Sequence, residues 1–106
     1  MIIHCVLFKI NDGDEEYKKK IRAAIEAALR AVPTISKEAE FGPPISLGDS
    51  KEYDFALIAR FPDRTALDAY AKDPKHEEAK EKVIYPNVKR EETIVYDLEY
   101  GANSEA

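Results

Sequence analysis

Residues 2–10 read "IIHCVLFKI", and this stretch decides the fold. Bulky and β-branched residues without a helical period predict a strand. Side chains alternate between the faces of a strand. Ile2, His4, Val6 and Phe8 therefore share one face, and Ile3, Cys5 and Leu7 the other. Apart from His4, both faces are apolar. "YDFALIARF" at 53–61 repeats the pattern, with Phe55 and Leu57 against Ala56 and Ile58. Strands of this kind need cover on both sides.

Working outward, "NDGD" at 11–14 breaks the first strand and opens a helix expected over 14–32. Asp12 with Glu15 has capping-box spacing, and Asp14 is a second candidate cap. Tyr17, Ile21, Ala24, Ile25, Ala28, Leu29 and Val32 recur at helical spacing, and Pro33 ends the run. "SKEAEF" at 36–41 is expected to be a short, mostly polar edge strand, with Ile45 and Leu47 as candidate extensions beyond the Gly-Pro-Pro break. Asp63 is expected to cap a second helix carrying Tyr70. Asp73-Pro74 caps a third, expected to run to about Val83 and broken by "YPNV". "ETIVYDLEY" at 92–100 is the last strand, with Ile94, Tyr96, Leu98 and Tyr100 on one face.

The order β-α-β-β-α-α-β predicts an α+β, ferredoxin-like protomer with an antiparallel sheet. One long and two short helices can cover one sheet face. Leaving the other in water would expose a larger apolar patch than monomers usually tolerate. Symmetric pairing with a second copy is the usual remedy, and it would make a dimeric α+β barrel with an interior able to hold a small ligand.

The chain of 106 residues, 44% hydrophobic and 35% charged, is of one-domain size and composition. Residues 1–100 are expected to form the domain and 101–106 a flexible tail. A net charge of −5, without a basic surface, argues against nucleic acid as partner. No apolar stretch reaches the roughly 20 residues of a membrane span. The first ten residues lack the features of a secretory signal, so a cytoplasmic location is expected. Cys5, the single cysteine, is expected to be a buried free thiol. Two histidines far apart, with no clustered ligands, give no metal signature, and no Gly-rich phosphate loop occurs. No cofactor is expected.

Taken together, "IIHCVLFKI", "YDFALIARFPDRTALDAYAKDPKHEEA" and "TIVYDLE" resemble, in order and separation, the signatures of the stress-responsive A/B barrel (Dabb) family. The resemblance spans residues 1–100 and implies a homodimeric barrel of ferredoxin-like protomers with an associated pocket. The family includes a plant polyketide cyclase that closes a ring by intramolecular aldol condensation, with a His and a Tyr proposed as acid and base. By this resemblance the pair falls on His76 and Tyr70, and the family's first-strand His on His4. A further cyclase pocket His falls on Phe55, and a pocket Tyr near Ile25, so the same substrate is not expected.

His76 is the third residue of the helix capped by Asp73, where the positive helix end disfavours imidazolium, while Glu77 and Glu78 favour it. A neutral imidazole is what a general base must be, and a tyrosine hydroxyl can stabilise an oxyanion. The plain alternatives are an exposed first-turn His76, a core-edge Tyr70 with its hydroxyl in water, and a structural His4. The site expected is a pocket for a small apolar or aromatic molecule. His76 and Tyr70 are its candidate catalytic residues, and His4, Val6, Phe8 and Phe55 its binding residues. Lyase- or isomerase-like acid/base chemistry is the leading expectation. The alternatives are a non-enzymatic stress-responsive or sequestering dimer and a cofactor-independent monooxygenase.

Overall fold

The computed structural model describes residues 1–101; the rest of the expected tail lies outside the described residues. Strand β1 (Ile2–Phe8) is followed by α1 (Glu15–Arg30), β2 (Glu40–Gly42), β3 (Phe55–Phe61), α2 (Arg64–Lys72), α3 (Pro74–Ala79) and β4 (Ile94–Glu99). All strand pairs are antiparallel, in the order β2-β3-β1-β4. The expected ferredoxin-like α+β layout is the one found.

The caps follow simple chemistry. Asp14, not Asp12, caps α1, its carboxylate accepting from the Tyr17 N–H, while Asp12 pairs with Lys89. Asp63 caps α2 through the Ala66 N–H and Asp73 caps α3 through the Lys75 N–H. Helix α3 is shorter than expected. Past Ala79 the chain continues as a π-turn over Lys80–Ile84 and a 3₁₀ turn over Tyr85–Asn87. This brings Ile84 into the core and Val88 into a bridge with Ile10, which lies beyond the end of β1.

Strand β2 is also shorter than expected. It starts at Glu40, at the sheet edge, because Ser36–Ala39 form a turn closed by the Ala39 N–H on the Ser36 carbonyl. Ile45 and Leu47 do not extend it. They stand exposed in the following loop, which closes through left-handed backbone at Lys51 and Glu52.

Alternation along β1 and β3 is realised in full. Ile2, His4, Val6, Phe8, Phe55, Leu57, Ala59 and Phe61 are buried under the helices. Ile21, Ile25 and Leu29 of α1 and Tyr70 of α2 face them in one core. Below that core, Asp54 is buried, accepts from the Ile10 N–H and holds Lys18 at 3.1 Å. The opposite sheet face carries Ile3, Cys5, Leu7, Ala56, Ile58, Ile94, Tyr96 and Leu98, in register across β3-β1-β4. Among the described residues no element covers it, and Tyr96 is 64% exposed. Cys5 is therefore only half-buried in the chain alone.

Candidate active site

The break between α2 and α3 builds the site. Pro74 has no N–H to continue α2, so Asp73 leaves the helical region (φ −62°, ψ 128°) and starts α3 in a new direction. Its carboxylate also accepts from the Thr34 hydroxyl at 2.7 Å, which pins the break to the segment after α1. Tyr70, in the last turns of α2, and His76, in the first turn of α3, are thereby folded together. Their ring centroids lie 4.4 Å apart.

Tyr70 is buried, which overturns the plain alternative of a core-edge ring with its hydroxyl in water. Its ring packs on Phe61 at 5.3 Å and edge-on to His4 at 5.8 Å. Among the described residues its hydroxyl is the one buried side-chain polar atom without a hydrogen-bond partner. Burial, and then the Asp73 carboxylate, hold this phenol well above its ordinary pKa, so it remains a proton donor at neutral pH.

His76 is half-buried. Its Nδ1 faces the Ala71 carbonyl at 3.3 Å, so that nitrogen carries the proton and donates. The lone pair is then left on Nε2, the form a base requires. Its pKa is lowered, chiefly by burial. The Ala71 carbonyl and Glu77 oppose the shift, and Lys80 and His4 reinforce it. The open balance at the helix end thus resolves toward neutral imidazole.

His4 lies on the helix side of β1. Its strand partner on β4 is Asp97, and the carboxylate Oδ1 is 2.5 Å from the ring Nδ1. A carboxylate at Nδ1 fixes that nitrogen as the donor and orients the ring. Asp97 was not among the expected site residues. The signal for it was present, because "IVYDLE" puts this acid on the opposite face from Ile94, Tyr96 and Leu98.

These side chains surround one cavity of about 680 Å³ between the sheet and α2–α3. It is lined by Ile2, His4, Val6, Phe8, Leu57, Tyr70 and His76, by Val95, Asp97 and Glu99 of β4, and by Tyr85 and Arg90 of the segment leading into β4. Among the described residues no helix covers β4, and Val95 is 58% exposed there, so the cavity opens along that strand. The cavity therefore lies within the protomer, on the helix side of the sheet, and not between two facing sheets. Five of the six expected site residues meet in it. Phe55 does not line it. That ring is buried in the core between Phe8, at 6.4 Å, and Phe41, at 6.0 Å. Ile25, at the expected tyrosine position, is also buried. Among the described residues no three His, Cys, Asp or Glu side chains are grouped to hold a metal ion, and no helix is long and apolar enough to cross a membrane.

The sequence profile of the Stress responsive A/B Barrel Domain (Dabb) matches residues 2–100. The chain belongs to the Dabb family. No functionally curated protein matches this Dabb chain. Solved structures share its fold. A Dabb protein with a ferredoxin-like fold from Mesorhizobium loti is 22% identical, with a TM-score of 0.76 over 94% of this chain and 97% of that one. A dimeric ferredoxin-like protein of unknown function from Bacteroides fragilis is 24% identical, with a TM-score of 0.75 over 93% and 95%. The hydroxynitrile lyase of Passiflora edulis is 13% identical, with a TM-score of 0.72 over 96% and 94%. At these identities the likeness is one of fold.

Proposed function

We propose that this Dabb domain works as a homodimer in which each protomer binds a small, largely apolar or aromatic molecule in the cavity under α2 and α3, and acts on it by acid/base chemistry of the lyase or isomerase type. The observation that carries the reading is the buried, unpartnered Tyr70 hydroxyl, with the His76 ring against it. A buried hydroxyl without a partner costs about 1–3 kcal/mol, a strain found where function retains it. A ligand carbonyl oxygen is a fitting acceptor.

The roles follow from the protonation states. Nε2 of His76 takes a proton from carbon next to the carbonyl. Tyr70 donates to the oxygen on which charge develops. His4, held by Asp97, orients the ligand from the sheet side. The resulting carbanion equivalent can add to a second carbonyl, or the same groups can run the cleavage in reverse. That a protein of this fold is a hydroxynitrile lyase supports a lyase-type site in this scaffold and does not identify the substrate. The dimer reading is supported by the uncovered apolar sheet face and by relatives described as dimeric.

The test is a screen of small carbonyl compounds for turnover, followed by His76→Ala and Tyr70→Phe. Loss of turnover in both folded variants, with binding retained in at least one, is expected. Full activity in both would contradict the acid/base roles. Binding without turnover by the wild type would favour the sequestering alternative.

A further inference from the structure

The charged residues on the cavity wall are almost all neutralised from within the chain. Arg64 is paired with Glu99 at 2.7 Å, and Asp97 with His4 at 2.5 Å. Lys80 is paired with Glu77 at 3.2 Å, and Asp68 with Lys72 at 2.9 Å. Arg90 is the exception. Among the described residues no carboxylate lies within ion-pair distance of it; its guanidinium lies over the ring of Tyr85, 3.7 Å from the centroid. Both residues line the cavity and belong to the segment between α3 and β4.

This arrangement is suited to receiving an anion. Stacking occupies the face of the guanidinium and leaves its in-plane N–H donors free. The aromatic contact also restrains a side chain that would otherwise lose rotamer freedom on binding. In a chain of net charge −5, an unpaired cation on the wall of a largely apolar cavity selects strongly for the sign of the ligand's charge.

Building on the cavity reading above, we infer that the ligand is an apolar or aromatic carboxylate, its acid group held by the fork of Arg90 in the turn before β4 and its apolar body lying toward Tyr70 and His76. A planar carboxylate matches the paired N–H donors of a guanidinium. The inference narrows the substrate class to acids, with the reacting carbonyl or unsaturation at the end of the molecule away from the acid group.

The test uses 2-naphthoate and its neutral isostere 2-naphthamide, titrated calorimetrically against the full chain and against Arg90→Gln and Arg90→Lys. Arg90 is exposed, so these variants should fold. The wild type is expected to bind the carboxylate about tenfold or more tightly than the amide, as a charge-assisted contact should give. Arg90→Gln should remove the preference and leave amide affinity unchanged, and Arg90→Lys should keep part of it. Equal affinity for both probes in the wild type, or a preference that survives Arg90→Gln, overturns the carboxylate assignment and leaves the cavity reading standing. Failure of both probes to bind overturns the cavity reading, and this inference with it.

Discussion

The rings of Tyr70 and His76 lie 4.4 Å apart although they belong to different helices with different axes. On one continuous helix, residues six apart would be displaced by well over one turn and would point in different directions. The Asp73-Pro74 break removes that constraint. It puts a phenol that must keep its proton beside an imidazole that is poised to lack one. Such a pairing of opposite tendencies is how acid and base roles are separated at one pH.

Tyr70→Phe separates function from stability. The lost hydroxyl has no partner, so its removal should leave stability unchanged or raise it by up to about 3 kcal/mol. Ligand binding or turnover should fall at the same time. Urea denaturation checks the first part. A loss above about 1 kcal/mol would mean that the hydroxyl is engaged.

The lowered His76 pKa has two consequences. Turnover that uses its neutral form should be flat at neutral pH and fall only below the ordinary histidine value of about 6.5. Stability has a definite sign too. Between the unfolded and the lower folded pKa the unfolded chain binds more protons. The His76 contribution is therefore fully present above about 6.5 and is lost as pH falls toward the folded value. Proton NMR titration of the ring should give a midpoint below that of a free histidine. A midpoint above it would remove the base assignment.

Asp97 holds the His4 ring through Nδ1. Asp97→Ala should cost about 1 kcal/mol, reduced from a fully buried hydrogen bond because the carboxylate is part-exposed. Nitrogen-15 spectra above neutral pH should show His4 protonated at Nδ1 in the wild type and a mixture of tautomers in the variant. An unchanged tautomer would mean that something other than Asp97 orients the ring.

The apolar sheet face should mediate dimerisation. Sedimentation velocity should give a dimer for the wild type and a shift toward monomer for Tyr96→Glu, whose side chain stands beside Cys5 in the β1–β4 register. Since the cavity lies within the protomer, a folded monomeric variant should retain ligand binding. A wild type that stays monomeric at high concentration would contradict the dimer.

Much of this was legible in the sequence, because local rules governed it. Asp63 and Asp73 cap where their spacing from the helices requires, and His4 shares its face with Ile2, Val6 and Phe8 by alternation alone. What was not legible depended on packing. Both faces of β1 are apolar, so only the docking of the helices decides which one bounds the cavity. Phe55 is aligned with a pocket position yet is held between Phe8 and Phe41, a contact that depends on how β2 docks along β3. Whether Tyr70 reaches water or the pocket is decided by the kink at Asp73, which closes His76 over it. Asp97 becomes meaningful only once the β1–β4 register is known.

The two histidines of the chain, His4 and His76, both line the cavity, so an imidazole NMR spectrum reports on it with no other signals present. Titration with 2-naphthoate and other small aromatic probes should move the ring resonances of both histidines along one binding isotherm. If a probe binds while both rings stay silent and the backbone signals of Ile3, Ile58 and Tyr96 on the open sheet face move instead, the cavity is not the working site.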